Sequence, residues 1–310
     1  MNAAASPTIA VLLPCYNEEA AIAATVAGFR AALPRATVYV YDNNSRDRTR
    51  EVAAEAGAIV RAERQQGKGH VVRRMFADID ADVYVMADGD LTYDPKSAQQ
   101  MVDLLLAEQL DMVVGTRRHE QADAYRGGHV FGNRLFTGLL SGLFGRSFSD
   151  IFSGYRVFSR RFVKSFPVLS SGFEIETEMS VHALELRMPV GEIETAYAAR
   201  PEGSQSKLST FSDGSRILKT IVTLYRIERP VLFYGSIGAL LVALAIVIAI
   251  PLAITYFHTG LVPRVPTAIL VTGMTIVAVL CFFTGLILDT VTRGRRELRR
   301  LHYLSLAAPR

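Results

Sequence analysis

The 310-residue sequence has only two cysteines, Cys15 beside the first apolar run and Cys281 inside the last, so no disulfide framework is expected. No G-x-G-x-x-G follows the first predicted strand, which disfavours a hydride-transferring dinucleotide fold. No G-x-x-x-x-G-K-[ST] occurs either, so the GKG at residues 67–69 is not a P-loop. Residues 1–8 lack a basic stretch and a long apolar stretch, so no signal peptide is expected and the globular part is expected to stay where it is made. Internal repeats and low-complexity tracts are absent. Charge is nearly missing from residues 231–288, and this absence says most. Within that region the apolar runs 231–257 and 268–288 each exceed the roughly 20 residues needed to cross a bilayer. They are expected to be two membrane spans; two buried core helices are the alternative, which adjacent runs of this length disfavour.

The charge that is present is placed unevenly. Net charge is only +4. Arg216, Lys219, Arg226 and Arg229 precede the first span, Arg293, Arg295, Arg296, Arg299 and Arg300 follow the second, and the connecting loop holds Arg264 alone. The positive-inside rule then predicts cytoplasmic termini and an external loop, with the basic residues drawn to anionic lipid. The expected division is a globular domain over residues 1–210, an amphipathic juxtamembrane helix over 211–230, two spans over 231–289 and a basic tail over 290–310. The partners expected are therefore a membrane and small molecules, not nucleic acid. Flanking amphipathic helices at 211–229 and 290–306 could also support self-association as a homo-oligomer.

Before the spans, strand-like and helix-like segments alternate. Apolar runs at residues 9–13, 38–42, 58–63, 83–87 and 111–117 read as strands, and residues 18–33, 51–57, 65–79 and 97–110 read as helices between them. This predicts an α/β fold with a mostly parallel sheet and ligands at the C-terminal strand ends, where Asp42 and Asp88 fall. Asp88 and Asp90, one residue apart at a strand end, need solvent, basic partners or a cation. They read as a clamp for a hard divalent ion such as Mg²⁺ or Mn²⁺, or else as an acidic turn bent at Gly89. Residues 127–145 read as a helix with an apolar stripe that could meet lipid or core, so Arg134 on it can snorkel. Glu174, Glu176 and Glu178 cannot all share one face of the helix predicted over 173–188; one can orient a basic residue while the others are solvated. His70 and His129 read as loop or surface residues, and Tyr155 as a core residue.

In order, LPCYNEE (13–19), YDNNSRDRT (41–49), GKG (67–69), ADGD (87–90), VGTR (114–117), DIFSGYR (150–156) and RPEGSQSKL (200–208) resemble family 2 glycosyltransferases of the GT-A fold, within them the polyprenyl-phosphate glycosyltransferases. The resemblance covers most of the chain. It implies metal-dependent, inverting transfer of a hexose from a nucleotide sugar to polyprenyl phosphate, with Mg²⁺ or Mn²⁺ as cofactor. It further implies that Pro14, Tyr16, Asn17, Glu18, Asp42, Asn44, Lys68, Gly69, Asp88 and Gly89 bind the nucleotide sugar. Asp88 and Asp90 would hold the metal, with Asp90 binding it directly. Asp150 would lie near the sugar, and Arg117, Arg134, Arg200 and Lys207 would grip the acceptor phosphate, with Asp88, Asp90, Asp150 and Arg117 forming the catalytic set. One departure is Asn43, since many relatives carry two acidic residues where this chain has Asp42-Asn43. A processive polysaccharide synthase shares the donor motifs. Such enzymes resemble one another in a Q-x-x-R-W motif, however, and this chain has no tryptophan. A non-catalytic nucleotide-sugar-binding membrane protein is the third reading, disfavoured by the intact acidic pair.

Overall fold

The computed structural model describes residues 6–119, 138, 148–168, 172, 174–198, 222–223 and 225–309. By contacts the chain divides into two units, residues 1–214 with 299–310, and residues 215–298.

The first unit is built on a seven-stranded sheet of order β3-β2-β1-β4-β6-β5-β7. The strands are β1 (Ile9–Cys15), β2 (Thr37–Asp42), β3 (Ile59–Ala62), β4 (Val83–Met86), β5 (Met112–His119), β6 (Arg156–Ser159) and β7 (Val190–Tyr197). β1 pairs in parallel with β2 and β4, β2 with β3, and β5 with β7; β6 alone runs antiparallel, between β4 and β5. β1 and β4 are covered on both faces and are accordingly continuous apolar runs without alternation, as central parallel strands require. β3 is the edge on one side. It is short, with Ile59 half-exposed and Arg61 on it, which blunts further pairing.

The helices of this unit, among the described residues, are α1 (Ile22–Ala32), α2 (Thr49–Glu55), α3 (Lys68–Asp78), α4 (Ser97–Ala107), α5 (Arg160–Ser165) and α6 (Ile175–Glu185). One sheet face presents Val11, Leu13, Val40, Val85 and Val157 to Val26 and Phe29 of α1 and Met101, Val102 and Leu105 of α4. Burying each such side chain contributes about 1.5–3 kcal/mol. The opposite face is aromatic: Phe76 of α3 packs edge-on against Tyr84 and Phe158, and Phe158 stacks on Phe162 of α5 at 4.7 Å.

His182 of α6 lies against Phe162 and Phe166 in that aromatic layer. Its Nε2 meets the Ser165 hydroxyl at 3.2 Å, while Nδ1 is buried without a partner. Burial, reinforced by the charge of Arg299, pushes its pKa down to about 3. The folded chain therefore binds one proton fewer than the unfolded chain between about pH 6.5 and pH 3, and stability falls as pH falls through that window, by up to about 1.4 kcal/mol per unit. Melting in detergent at pH 7 and pH 5 is expected to show a larger drop for the wild type than for His182→Phe. Equal drops would remove His182 as the source.

The C-terminal residues of the chain close this unit. Tyr303 is buried, its hydroxyl donates to Asp111 Oδ2 at 2.6 Å, and the Arg161 guanidinium lies 4.4 Å from its ring centre. Arg161 forks onto the same Asp111 at 2.8 and 2.9 Å, and Arg299 pairs with Glu185 at 2.5 Å.

The second unit holds α7 (Pro230–Thr259) and the larger part of α8 (Val265–Leu304), both long and apolar enough to cross a membrane. Pro at the first position of α7 and Gly260 at φ +69 after its end mark its limits. Small residues let the two helices approach: a Cβ on Gly238 would meet the Ala278 carbonyl at 3.0 Å, and one on Gly285 the Pro230 carbonyl at 3.1 Å. Arg296 pairs with Glu228 in the same unit.

Candidate active site

The parallel strands end in loops that converge on one edge, and the sequence of each loop explains its shape. After β1, Asn17 takes a left-handed φ of +53, and after β2 Asn44 takes +64; asparagine is among the few side chains that accept this. The two loops are sewn together. Asn17 accepts from the Arg46 N–H at 2.8 Å, its own N–H donates to Ser45 Oγ at 2.8 Å, and the Glu18 N–H donates to Thr49 Oγ1 at 2.9 Å. Asp42 is fully buried, with Oδ2 accepting from Arg50 Nε at 2.6 Å and from the Ser45 N–H at 3.2 Å. Its other oxygen is buried without a hydrogen-bond partner.

Asn43, the departure from the two-acid pattern, has a positioning task that sequence reading missed. Its amide donates to the Glu63 and Gln65 carbonyls and its oxygen accepts from the Gly67 N–H at 2.7 Å. A carboxylate could not make the two donations. Asn43 thereby holds the loop that delivers Lys68, and Gly67 at φ +134 is in a region only glycine tolerates at no cost. Asn44 braces the same loop through the Arg64 carbonyl at 2.7 Å.

β4 runs into Asp88, Gly89 and Asp90. A Cβ on Gly89 would stand 2.4 Å from Cys15 Sγ, so only glycine lets this turn lie against β1. Asp90 is 3% exposed, and its Oδ1 accepts from the Thr92 hydroxyl at 2.7 Å and the Thr92 N–H at 3.2 Å. Leu91 between them sits at φ +59, strain of about 1–2 kcal/mol that the surrounding turn must overcome. Asp88 is 30% exposed at its side chain and accepts from Lys68 Nζ at 2.5 Å. The same ammonium is 2.5 Å from Glu176 Oε1. Burial alone would lower the Lys68 pKa, but the two carboxylates overcome it and hold the group above its ordinary value, so it is charged. Glu176 is thus the member of the glutamate trio that orients a basic residue.

A second cluster adjoins this one. Asp150 and Arg117 form a bidentate pair, Nε to Oδ2 at 2.7 Å and Nη2 to Oδ1 at 2.8 Å, and the guanidinium lies over the Tyr197 ring at 5.5 Å. Burial pushes the Asp150 carboxyl up, but the Arg117 hydrogen bonds and charge hold it below the usual carboxylate range. Tyr93 accepts from the Gly154 N–H at 2.8 Å and packs on Tyr155 and Tyr197, joining the loop at 150–155 to the Asp90 turn. Tyr155 is a core residue, fully buried. A Cβ on Gly154 would meet Asp88 Oδ2 at 2.9 Å and Lys68 Nζ at 3.2 Å, so glycine here lets the two clusters touch. Arg156 is the largest fully buried side chain among the described residues, bonded to the Ser153 and Ile151 carbonyls and to Ser180 Oγ. It anchors the Asp150 loop from behind.

The structure thus brings Asp88, Asp90, Lys68, Asp150 and Arg117 together, with Asn17, Glu18, Asp42 and Asn44 in the neighbouring loops. Arg134, Arg200 and Lys207, expected on the acceptor phosphate, lie outside the described residues, as do nearly all of the helix expected over 127–145 and most of that over 211–229. Among the described residues no group of three or more His, Cys, Asp or Glu could hold a metal ion by itself. Two carboxylates nonetheless fit Mg²⁺ or Mn²⁺, which are held by one or two carboxylates with substrate phosphate and water completing the shell.

Comparison with known proteins agrees with this architecture. The model of the family described as Glycosyl transferase family 2 matches residues 10–166. Glycosyltransferase AglJ of Haloferax volcanii is 32% identical over 299 residues, which cover 96% of this chain and 98% of that protein. A dolichyl-phosphate hexose transferase of the same organism is 30% identical over 222 residues, 71% of this chain and 95% of that protein. Among solved structures, glucosyl-3-phosphoglycerate synthase from Mycobacterium tuberculosis, in complex with Mn²⁺, UDP and glucosyl-3-phosphoglycerate, shares the fold. That match has a TM-score of 0.59 and 24% identity, over 71% of this chain and 80% of the other.

Proposed function

The chain belongs to glycosyl transferase family 2, and from that premise we propose that it transfers a hexose from a UDP- or GDP-linked nucleotide sugar to polyprenyl phosphate, with inversion at the anomeric carbon. The observation that carries the reading is the sorting of charge along the C-terminal edge of the sheet. Asp88 and Asp90 stand at the end of β4, with Lys68 brought from the β3 side and Arg117 at the end of β5. Asp88 and Asp90 would hold Mg²⁺ or Mn²⁺, which when bound stabilises the charge that builds on the departing diphosphate. The similar dolichyl-phosphate hexose transferase supports a polyprenyl phosphate acceptor, and the Mn²⁺ and UDP bound by the synthase of shared fold support a metal-held diphosphate.

The acceptor explains the arginine at the second cluster. A lipid monophosphate, with its second pKa near 6, is largely dianionic at pH 7 and can attack without first giving up a proton. The site then needs cations to hold the nucleophile more than a carboxylate to activate it. Arg117 keeps N–H groups beyond the two given to Asp150, and guanidinium suits phosphate. Arg134, Arg200 and Lys207 join it in this reading. α7 and α8 would span the membrane with the catalytic unit and both termini cytoplasmic, as the flanking arginines and lysine favour.

The test incubates membranes holding the full chain with a panel of nucleotide sugars, undecaprenyl phosphate and Mn²⁺ or Mg²⁺. The expected product is a lipid whose mass equals undecaprenyl phosphate plus one hexosyl residue, a hexose less one water. A polymeric product, or no lipid-linked sugar with any donor, would overturn the proposal.

A further inference from the structure

Lys68 is shared by two carboxylates whose surroundings differ. Its Nζ is 2.5 Å from Asp88 Oδ1 and 2.5 Å from Glu176 Oε1, yet Asp88 is 30% exposed at its side chain and Glu176 only 6%. Asp88 shares its turn with Asp90, whereas Glu176 sits in the first turn of α6, where burial pushes its carboxyl up and the Lys68 ammonium and the helix end favour the anion. The chain places these partners 108 residues apart, so nothing local brings Glu176 here. Behind it, its main-chain carbonyl accepts from Ser180 Oγ, and Ser180 Oγ accepts from the buried guanidinium of Arg156. Glu176 is therefore braced by the same buried network that anchors the Asp150 loop.

Asp88 has two claimants: the ammonium that holds it in this structure and the divalent cation expected with the donor. Both cannot share one carboxylate at contact distance without strong repulsion between them. We propose that Glu176 is a positioning residue for Lys68, a fixed second berth that retains the ammonium when Asp88 turns to the cation–diphosphate. The inference rests on the reading of Asp88 and Asp90 as the donor-diphosphate clamp. Glu176 touches neither donor nor cation and acts through Lys68 alone. With Glu176 present, Lys68 keeps a charged partner on release of Asp88 and can offer its N–H groups to the arriving phosphates. With Glu176 neutral, Asp88 must go on holding Lys68, and the cation meets a competitor.

The test measures Mn²⁺ affinity in the presence of UDP by the decrease of the free Mn²⁺ electron paramagnetic resonance signal, on the full chain in detergent. Glu176→Gln keeps the shape and removes the charge. It is expected to weaken Mn²⁺ binding about tenfold. In a Lys68→Met background the same change is expected to alter Mn²⁺ affinity less than about twofold, since the residue through which Glu176 acts is gone. Glu176→Asp, which keeps the charge on a shorter arm, is expected to fall between wild type and Glu176→Gln; it also serves as the reporter if the glutamine variant does not fold. Unchanged affinity in Glu176→Gln, wild-type affinity in Glu176→Asp where only that variant folds, or equal loss in both backgrounds would overturn the inference and leave the functional reading standing. Failure of the wild type to bind Mn²⁺ with UDP would overturn the clamp reading, and this inference with it.

Discussion

Asp90→Ala is expected to lower kcat for glycosyl transfer by about a thousandfold or more, with the fold retained. The size follows from what is removed: one of two carboxylates that can hold the cation, and electrostatic stabilisation of a departing group is commonly worth 10²–10³ or more in rate. A thousandfold corresponds to about 4 kcal/mol of barrier. The cost in stability includes the two hydrogen bonds that Asp90 accepts from Thr92, about 1–2 kcal/mol. Asp90→Asn separates the two effects, since an amide oxygen still accepts from Thr92 but binds a divalent cation far more weakly. Asparagine and alanine should therefore fall together in transfer rate and differ in melting temperature. Asp88→Asn is expected to lose less than Asp90→Asn, because Asp88 spends part of its charge on Lys68 in the resting site. Transfer at the wild-type rate in either Asp90 variant would remove the pair from the mechanism.

The sequence made this pair visible because apolar strand runs ending in acid are a local pattern. β1, β2, β4 and β5 were legible because each contains a short apolar run, and α7 and α8 because their apolar runs are long. What could not be read is whatever depends on contacts across the chain. β6 is four buried residues, Arg156–Ser159, with no alternation and a charged first member, so nothing in it announces a strand or its reversed direction. Arg156, the last residue of the DIFSGYR motif, spends its guanidinium on carbonyls and a hydroxyl inside the protein. The basic residues from 293 to 300 lie on the last turns of α8, and Tyr303 finds Asp111 across 192 residues, which no spacing rule encodes. Glu176 was one of three indistinguishable glutamates until the fold brought Lys68 to it. Asn43 looked like a loss of charge and is a gain of two donated hydrogen bonds.

Arg117→Met is the second change with a large expected effect, and here stability and activity must be pulled apart. The guanidinium and Asp150 are 21% and 10% exposed at their side chains, so removing one partner leaves the other charge buried. Breaking such a pair costs about 3–5 kcal/mol, or a melting drop on the order of 10 °C for a domain near 200 residues. Loss of Arg117 also lets the Asp150 carboxyl rise from its lowered position, so the variant should recover part of its stability as pH falls and the buried acid takes up a proton. Adding Asp150→Asn removes the orphaned charge at any pH, and the double variant is expected to recover most of the lost melting temperature. Transfer should not return with it. If Arg117 grips the acceptor phosphate, both the single and the double variant are expected to lose at least a hundredfold in kcat/KM for polyprenyl phosphate, with the KM for the nucleotide sugar little changed. Arg117→Lys should keep the charge and still lose part of this, since an ammonium cannot hold Asp150 and a phosphate with the geometry of a planar fork. Recovery of transfer together with stability in the double variant would reduce Arg117 to a counter-ion for Asp150, and the acceptor phosphate would then have to be held by other cations.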